Sequence, residues 1–204
     1  MTSIDHITIV ADDPTAADRF YAAAFGLGAL VRVRAAEAPT AGFRGCTLSL
    51  VVSQPSTVDS LMDAALDAGA TALKPAAKSF WGYGGALRAP DGTICTLASS
   101  SKKDTGPATR QIDEVVLQLG VADVAASKRF YVDRGLDVGK SYGRKYVQFA
   151  TPSSPIKLAL IKRRALAKTA GVDPEGTGSH RIVVGSDAGP FTDPDGFAWE
   201  ATSP

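Results

Sequence analysis

The run from Ile4-Asp5-His6 to Arg19-Phe20-Tyr21 returns as Ile112-Asp113-Glu114 to Arg129-Phe130-Tyr131. This internal repeat restricts the chain to architectures that use one structural unit twice. The far end of each copy recurs too, as Ala89-Pro90-Asp91-Gly92 and Asp193-Pro194-Asp195-Gly196. From His6 to Glu114 the step is 108 residues, from Arg19 to Arg129 it is 110, and from Pro90 to Pro194 it is 104. Insertions and deletions therefore fall between the anchors, as divergence after duplication would place them. Residues 101–111 are polar and turn-rich and read as a linker, giving an N-terminal domain over 1–100 and a C-terminal domain over 112–204.

Within the first copy, Ile7 and Ile9 alternate with His6, Thr8 and Val10, which predicts a strand with His6 on the face opposite the isoleucines. Asp12 or Asp13 and Pro14 open a helix carrying Ala17, Phe20, Tyr21 and Ala24, and Gly26 and Gly28 end it. Strands follow at 30–34 and 47–53. Ser56 and Asp59 resemble a capping box for a second helix with the apolar stripe Val58, Leu61, Met62, Ala65 and Leu66. Strands near Ala72, at 84–88 and at 93–98 complete the half. The second copy repeats this order with strands at 114–119, 146–150, 156–161, 180–184 and 197–202; residues 162–177 read as a helical turn and an exposed loop.

Lysine plus arginine number 22 against 21 aspartates and glutamates, so no global field favours nucleic acid or an anionic membrane, and a small-molecule ligand is the expected partner. The longest apolar runs fall short of a membrane span and no export signal is visible, which points to the cytoplasm. Cys46 and Cys95 lack metal spacing and read as reduced, buried thiols.

An Asp-His first strand, a helix ending in Arg-Phe-Tyr and glycine, and a close on Asp-Pro-Asp-Gly-x-x-x-Glu together resemble the vicinal oxygen chelate superfamily, the glyoxalase, bleomycin-resistance and dioxygenase group. The resemblance covers nearly the whole chain and implies an α+β fold: duplicated βαβββ units forming curved mixed sheets around a cavity. It also implies metal ligands at first-strand and last-strand positions of paired units. Carried over residue by residue, those positions are His6 and Glu114 for first strands, Glu200 for the last strand with Thr96 as its counterpart, and His180 with Thr47. The N-terminal set, His6, Thr47 and Thr96, makes a poor metal site. The C-terminal set, Glu114, His180 and Glu200, has the donors for a facial site binding manganese, zinc, iron or magnesium, with Glu114 and Glu200 as catalytic carboxylates. Leu158 or Leu160 stands where a fourth ligand is sought.

Glu114 has a second reading, as the partner of Arg129, Arg144 or Arg181. His6 is otherwise a ligand-contacting group in a polar pocket. Phe80, Trp81 and Tyr83 among glycines form either an aromatic lid over a ligand cavity or ordinary packing. The resemblance thus implies a metal-dependent lyase, isomerase or dioxygenase acting on a small oxygen-bearing molecule. Its alternative is a metal-free binding protein of the bleomycin-resistance type, and a third reading is a regulatory protein that keeps only the fold. Relatives also build cavities across a homodimer, and sequence leaves open which units pair; a pairing that brought His6 to Glu200 would give a His6, Glu114, Glu200 site.

Overall fold

The computed structural model describes residues 2–202. In chain order the strands are β1 (Ile4–Ala11), β2 (Val31–Ala35), β3 (Ala41–Gly42), β4 (Cys46–Val51), β5 (Thr71–Ser79), β6 (Gly82–Arg88), β7 (Ile94–Ser99), β8 (Glu114–Val121), β9 (Asp137–Tyr142), β10 (Tyr146–Ala150), β11 (Ile156–Lys162), β12 (Gly176–Thr177), β13 (Ile182–Ser186), β14 (Phe191–Thr192) and β15 (Ala198–Ala201). The helices are α1 (Pro14–Phe25), α2 (Pro55–Asp67), α3 (Val124–Val132) and α4 (Arg163–Ala170). Asp13 caps α1 by accepting from the Ala16 N–H, and Gly26 ends the helix at φ 64°, a left-handed conformation that glycine adopts without steric cost. Asp123 repeats the cap on α3; the N–H groups of Ala125 and Ala126 that it accepts hold its carboxyl below the usual range.

Two mixed sheets carry the molecule. One has five strands in the order β14-β15-β13-β1-β2; the other has eight, β5-β6-β7-β4-β8-β11-β10-β9. Each draws strands from both copies of the repeat: β1 pairs antiparallel with β13, and β4 antiparallel with β8. The sheets are therefore built across the two halves, not within them. Ile7, Ile9, Leu48, Leu50, Leu117, Leu119, Leu158 and Leu160 point to one shared core with Phe20, Leu61 and Tyr131 from the helices. Leu158 and Leu160 belong to this core and not to a cavity face.

Within each half the two recurring motifs meet each other. Tyr21, at the end of α1, donates its hydroxyl to Asp91 of the Pro-Asp-Gly turn at 2.9 Å, and Tyr131 of α3 donates to Asp193 at 2.6 Å. Burial raises both phenols well above the usual range. The Arg-Phe-Tyr segment thus meets the Pro-Asp-Gly turn in both halves, through Asp91 in the first and through Asp193, two residues before the equivalent Asp195, in the second.

Residues 101–111, read above as a linker, contain no helix or strand, yet they are fastened down. Gln54 accepts from the N–H groups of Thr105 and Gly106 and donates to the carbonyls of Gly106 and Pro107. Asp104 accepts from the Ser56 N–H at 2.7 Å, whereas the Ser56 hydroxyl has no partner. The first turn of α2 is consequently capped by the linker, and the capping box read from Ser56 and Asp59 does not form. Asp104→Ala should cost about 1 kcal/mol of stability in urea unfolding, the usual worth of an N-terminal cap; Ser56→Ala should cost less.

Besides the two-residue strands β3, β12 and β14, three longer elements depart from the sequence reading. Nine-residue β5 forms a long hairpin with β6, and β9 is a fully exposed edge strand without apolar alternation to reveal it. Residues 163–170 form a helix of eight residues rather than a turn, because Leu166, Ala167 and Ala170 bury against Phe43, Ile94 and Ile161. Gly120 permits that packing: a Cβ there would lie 2.8 Å from the Gly45 carbonyl and 3.0 Å from the Arg163 Cα. Cys46 and Cys95 are buried and unpaired, and burial pushes the Cys46 thiol up to about 12. Among the described residues, no helix is long and apolar enough to cross a membrane.

Candidate functional site

Side chains that point away from the core line a concave face on each sheet. On the five-stranded sheet, register sets Gly185 of β13 between His6 of β1 and Glu200 of β15. His6 Nε2 lies 3.5 Å from Glu200 Oε1. That distance suits an ion pair, but the alignment is not that of a hydrogen bond, and both ring nitrogens are buried without a partner. Glu200 is held by the Thr8 hydroxyl, which donates to Oε1 at 3.0 Å, and by Arg34, 3.3 Å from Oε2. A Cβ on Gly185 would overlap the His6 ring, so glycine is what makes room for the imidazole. A cavity of about 290 Å³ continues along the same face, bounded by Val10, Arg34, Val183 and Ala198.

The eight-stranded sheet repeats this arrangement with other residues. Ser49 of β4 pairs with both Val116 of β8 and Thr96 of β7, as Gly185 pairs with both His6 and Glu200, while Lys157 of β11 pairs with Val116. Strand bounds agree, since Ile4 to Glu114, Ala11 to Val121 and the caps Asp13 to Asp123 are all steps of 110 residues. Val116 is thus the counterpart of His6. Matching Asp5-His6 to Asp113-Glu114 slipped the first strand by two residues, which keeps the face but moves a side chain about 7 Å along the strand.

The set Glu114, His180 and Glu200 is accordingly not brought together. Glu114 pairs with Lys157 Nζ at 2.5 Å, and not with Arg129, Arg144 or Arg181. His180 stands just before β13 with Nδ1 against the Arg44 carbonyl and Nε2 against that of Asp195, its ring stacked on Phe197 at 3.8 Å. Glu200 sits on the other sheet from Glu114, beside His6. Arg181, the sole non-glycine residue at positive φ (55°) among the described residues, is also structural: its buried guanidinium bonds Asp12 and the carbonyls of Val10 and Ala38.

A cavity of about 410 Å³ opens on the β4–β7 side of the eight-stranded sheet, lined by Ser49, Thr96, Gln118, Lys78, Trp81 and Tyr83 among others. Thr47 donates to the Gln118 side-chain oxygen at 2.9 Å, leaving the amide NH₂ free to donate. Phe80 and Trp81 form the tip of the β5–β6 hairpin, each 83% exposed, and the Tyr83 hydroxyl donates to Asp59. α4 closes one end of this face. Lys74 tethers it by donating to the carbonyls of Lys168 and Thr169, the unsatisfied groups at the helix C-terminus.

The sequence reading named His6, Glu200, Trp81, Tyr83, Thr47 and Thr96 on these faces but missed Arg34, Ser49, Gln118 and Lys157. Lys157 had a legible signal, as the one charged residue inside the apolar run Ile156–Ile161.

Glyoxalase I from Zea mays superposes on 98% of this chain and 92% of its own with a TM-score of 0.62 at 15% identity. The chain has the vicinal oxygen chelate fold. A glyoxalase/bleomycin resistance protein/dioxygenase family enzyme from Burkholderia phytofirmans PsJN matches 48% of this chain and 98% of its own, at 21% identity and a TM-score of 0.44. No family model matches the sequence, and no curated protein matches it. At these identities the likeness is one of fold, and the donor set must speak for itself. Within the vicinal oxygen chelate frame, the five-stranded sheet offers one imidazole and one carboxylate, the latter already neutralised by Arg34; Gly185 and Leu30, the residue before Val31, fall at the two remaining positions. The eight-stranded sheet offers Ser49, Thr96, Val116 and Lys157. Among the described residues no three His, Cys, Asp or Glu side chains are grouped so as to hold a metal. Two donors fall short of the three or four that a resident zinc takes, so these residues do not fit the metal that the fold implies.

Proposed function

We propose that the protein binds a small oxygen-bearing molecule on the concave face of the eight-stranded sheet and does so without a resident metal. The observation that supports this reading is the replacement of the fold's ligand positions there by two hydroxyls, a valine and an ammonium, beside a cavity of about 410 Å³. A site of that size takes a molecule of one or two rings. Ser49, Thr96 and the Gln118 amide supply donors for its oxygens, and Trp81 supplies an aromatic wall. This is the bleomycin-resistance type of role, binding by shape and hydrogen bonds, in place of metal-dependent lyase, isomerase or dioxygenase chemistry.

A panel of small phenols, aromatic acids, amides and ketones, titrated into protein stripped with EDTA, tests it through tryptophan fluorescence and thermal shift. Saturable binding with a rise in Tm is expected, unchanged by chelation and weakened at least tenfold by Gln118→Ala. Failure of every compound to bind would remove the reading. Binding that appears only when manganese, zinc, iron or magnesium is added back would return the metal-dependent alternative.

A further inference from the structure

A second cavity, of about 330 Å³, lies on the other side of the same concave face, lined by Gly139, Lys140, Gln148, Ala150, Thr151 and Lys157 with Phe149 and Pro152. Its polar groups are mostly donors. Lys157 stands at the last-strand position that corresponds to Thr96 across the sheet, one of the four points on which the two paired units converge. Gln148 of β10 pairs with both Lys140 of β9 and Ala159 of β11, so Lys140 and Lys157 are separated by two strand spacings across the sheet and two residues along it. That is roughly 10 Å by 7 Å at the backbone, a span that two lysine side chains bridge toward a common point. The Gln148 side-chain oxygen accepts from the Tyr146 hydroxyl at 3.0 Å, which turns its NH₂ outward as a donor. The Thr151 hydroxyl is buried at 5% exposure and has no partner. Among the described residues Lys140 forms no ion pair, and Lys157 has Glu114 alone.

We infer that this cavity is an anion-binding subsite and that the small molecule bound by the protein carries a carboxylate. The inference rests on the binding role proposed above and names the ligand's charge class. A carboxylate seated between Lys140 and Lys157 accepts charge-assisted hydrogen bonds from both ammonium groups, with the Gln148 amide and Thr151 hydroxyl completing its donors. Glu114 sets the selectivity. With no ligand it satisfies Lys157, and a neutral molecule has nothing with which to displace it, whereas an anion replaces one carboxylate by another at the same ammonium. Ala150 and Pro152 flank this subsite, and the remainder of the molecule extends along the concave face toward Thr96 and Gln118.

Benzoate and benzamide, equal in shape and different in charge, test this by isothermal titration against the full-length protein. Benzoate is expected to bind at least tenfold more tightly than benzamide, more weakly as salt is raised. Lys157→Gln and Lys140→Gln should each weaken benzoate at least tenfold and benzamide far less, while Lys128→Gln on α3 leaves both unchanged. Glu114→Gln, which keeps the shape and removes the competing charge, should tighten benzoate. Equal affinities, or a Lys157→Gln protein that binds benzoate like the wild type, would overturn the inference while leaving the binding role standing. If neither compound binds while others of the wider panel do, the carboxylate assignment fails alone; if nothing binds, the binding role fails with it.

Discussion

Asp193→Ala is expected to lower the unfolding free energy by about 3 kcal/mol, the largest loss for any single side chain of the two turn clamps. Asp193 is 5% exposed, and its carboxylate accepts from the Tyr131 hydroxyl at 2.6 Å and from the N–H groups of Phe197 and Asp195 at 2.8 and 3.0 Å. Alanine leaves the buried Tyr131 and Phe197 donors and the half-buried Asp195 N–H without an acceptor, each buried donor costing about 1–3 kcal/mol, offset in part because a buried charge also disappears. Tyr131→Phe removes one donor together with its bond and should cost only about 1 kcal/mol. The pH dependence has a definite sign. Burial raises the Asp193 carboxyl above its ordinary range, so the folded state holds its proton more firmly than the unfolded chain does. Its contribution is then fully present below the unfolded value of about 3.9 and is lost as pH rises through the folded one. Urea unfolding of wild type and Asp193→Asn, compared from acidic to neutral pH, should show the wild type gaining on the variant as pH falls. A constant difference would mean that Asp193 does not titrate differently in the two states.

Gly185→Ala should cost about 2–3 kcal/mol, a large penalty for one added methyl. The new Cβ has nowhere to go, because the His6 imidazole fills the space over Gly185 and is itself wedged at 3% exposure. Removing the ring in the same chain should undo the damage. The His6→Ala/Gly185→Ala double variant is expected to be more stable than Gly185→Ala by about 1.5 kcal/mol or more, the coupling typical of residues in direct contact. Matched denaturant slopes with shifted midpoints would measure it. If His6→Ala gives no relief, the ring is not what excludes a side chain at position 185.

These two sites also show what sequence reading can and cannot reach. Strands and helices marked by alternation, caps and glycines were legible: Asp13 and Gly26 do in the structure what their types suggest. Glu200 was legible from its distance to the Pro-Asp-Gly turn. The partner of Glu200 was not, since which strands lie side by side depends on long-range pairing that no local pattern records, and the β1–β13 register decides it. Glu114 failed for a finer reason. Asp5-His6 and Asp113-Glu114 align by letter at a step of 108, whereas the strand bounds and the helix caps align at 110. A face is robust to such a slip and a site is not. The edge strand β9 and helix α4 were hidden because their stability comes from neighbours more than from their own residues.

The sharing of both sheets between the two copies has a consequence for how such a chain arises. Either copy alone would present β1 and β4, central strands here, with a row of bare backbone donors and acceptors along one side. A solitary ancestral copy has one self-consistent remedy, which is to meet its twin. Tandem fusion replaces that encounter by a tether, raising the local concentration of the missing half to the order of millimolar. Thereafter each half is freed from having to match itself. The contrast between a cleft holding His6 with Glu200 and a cleft holding Lys157 with Thr96 is what that freedom permits.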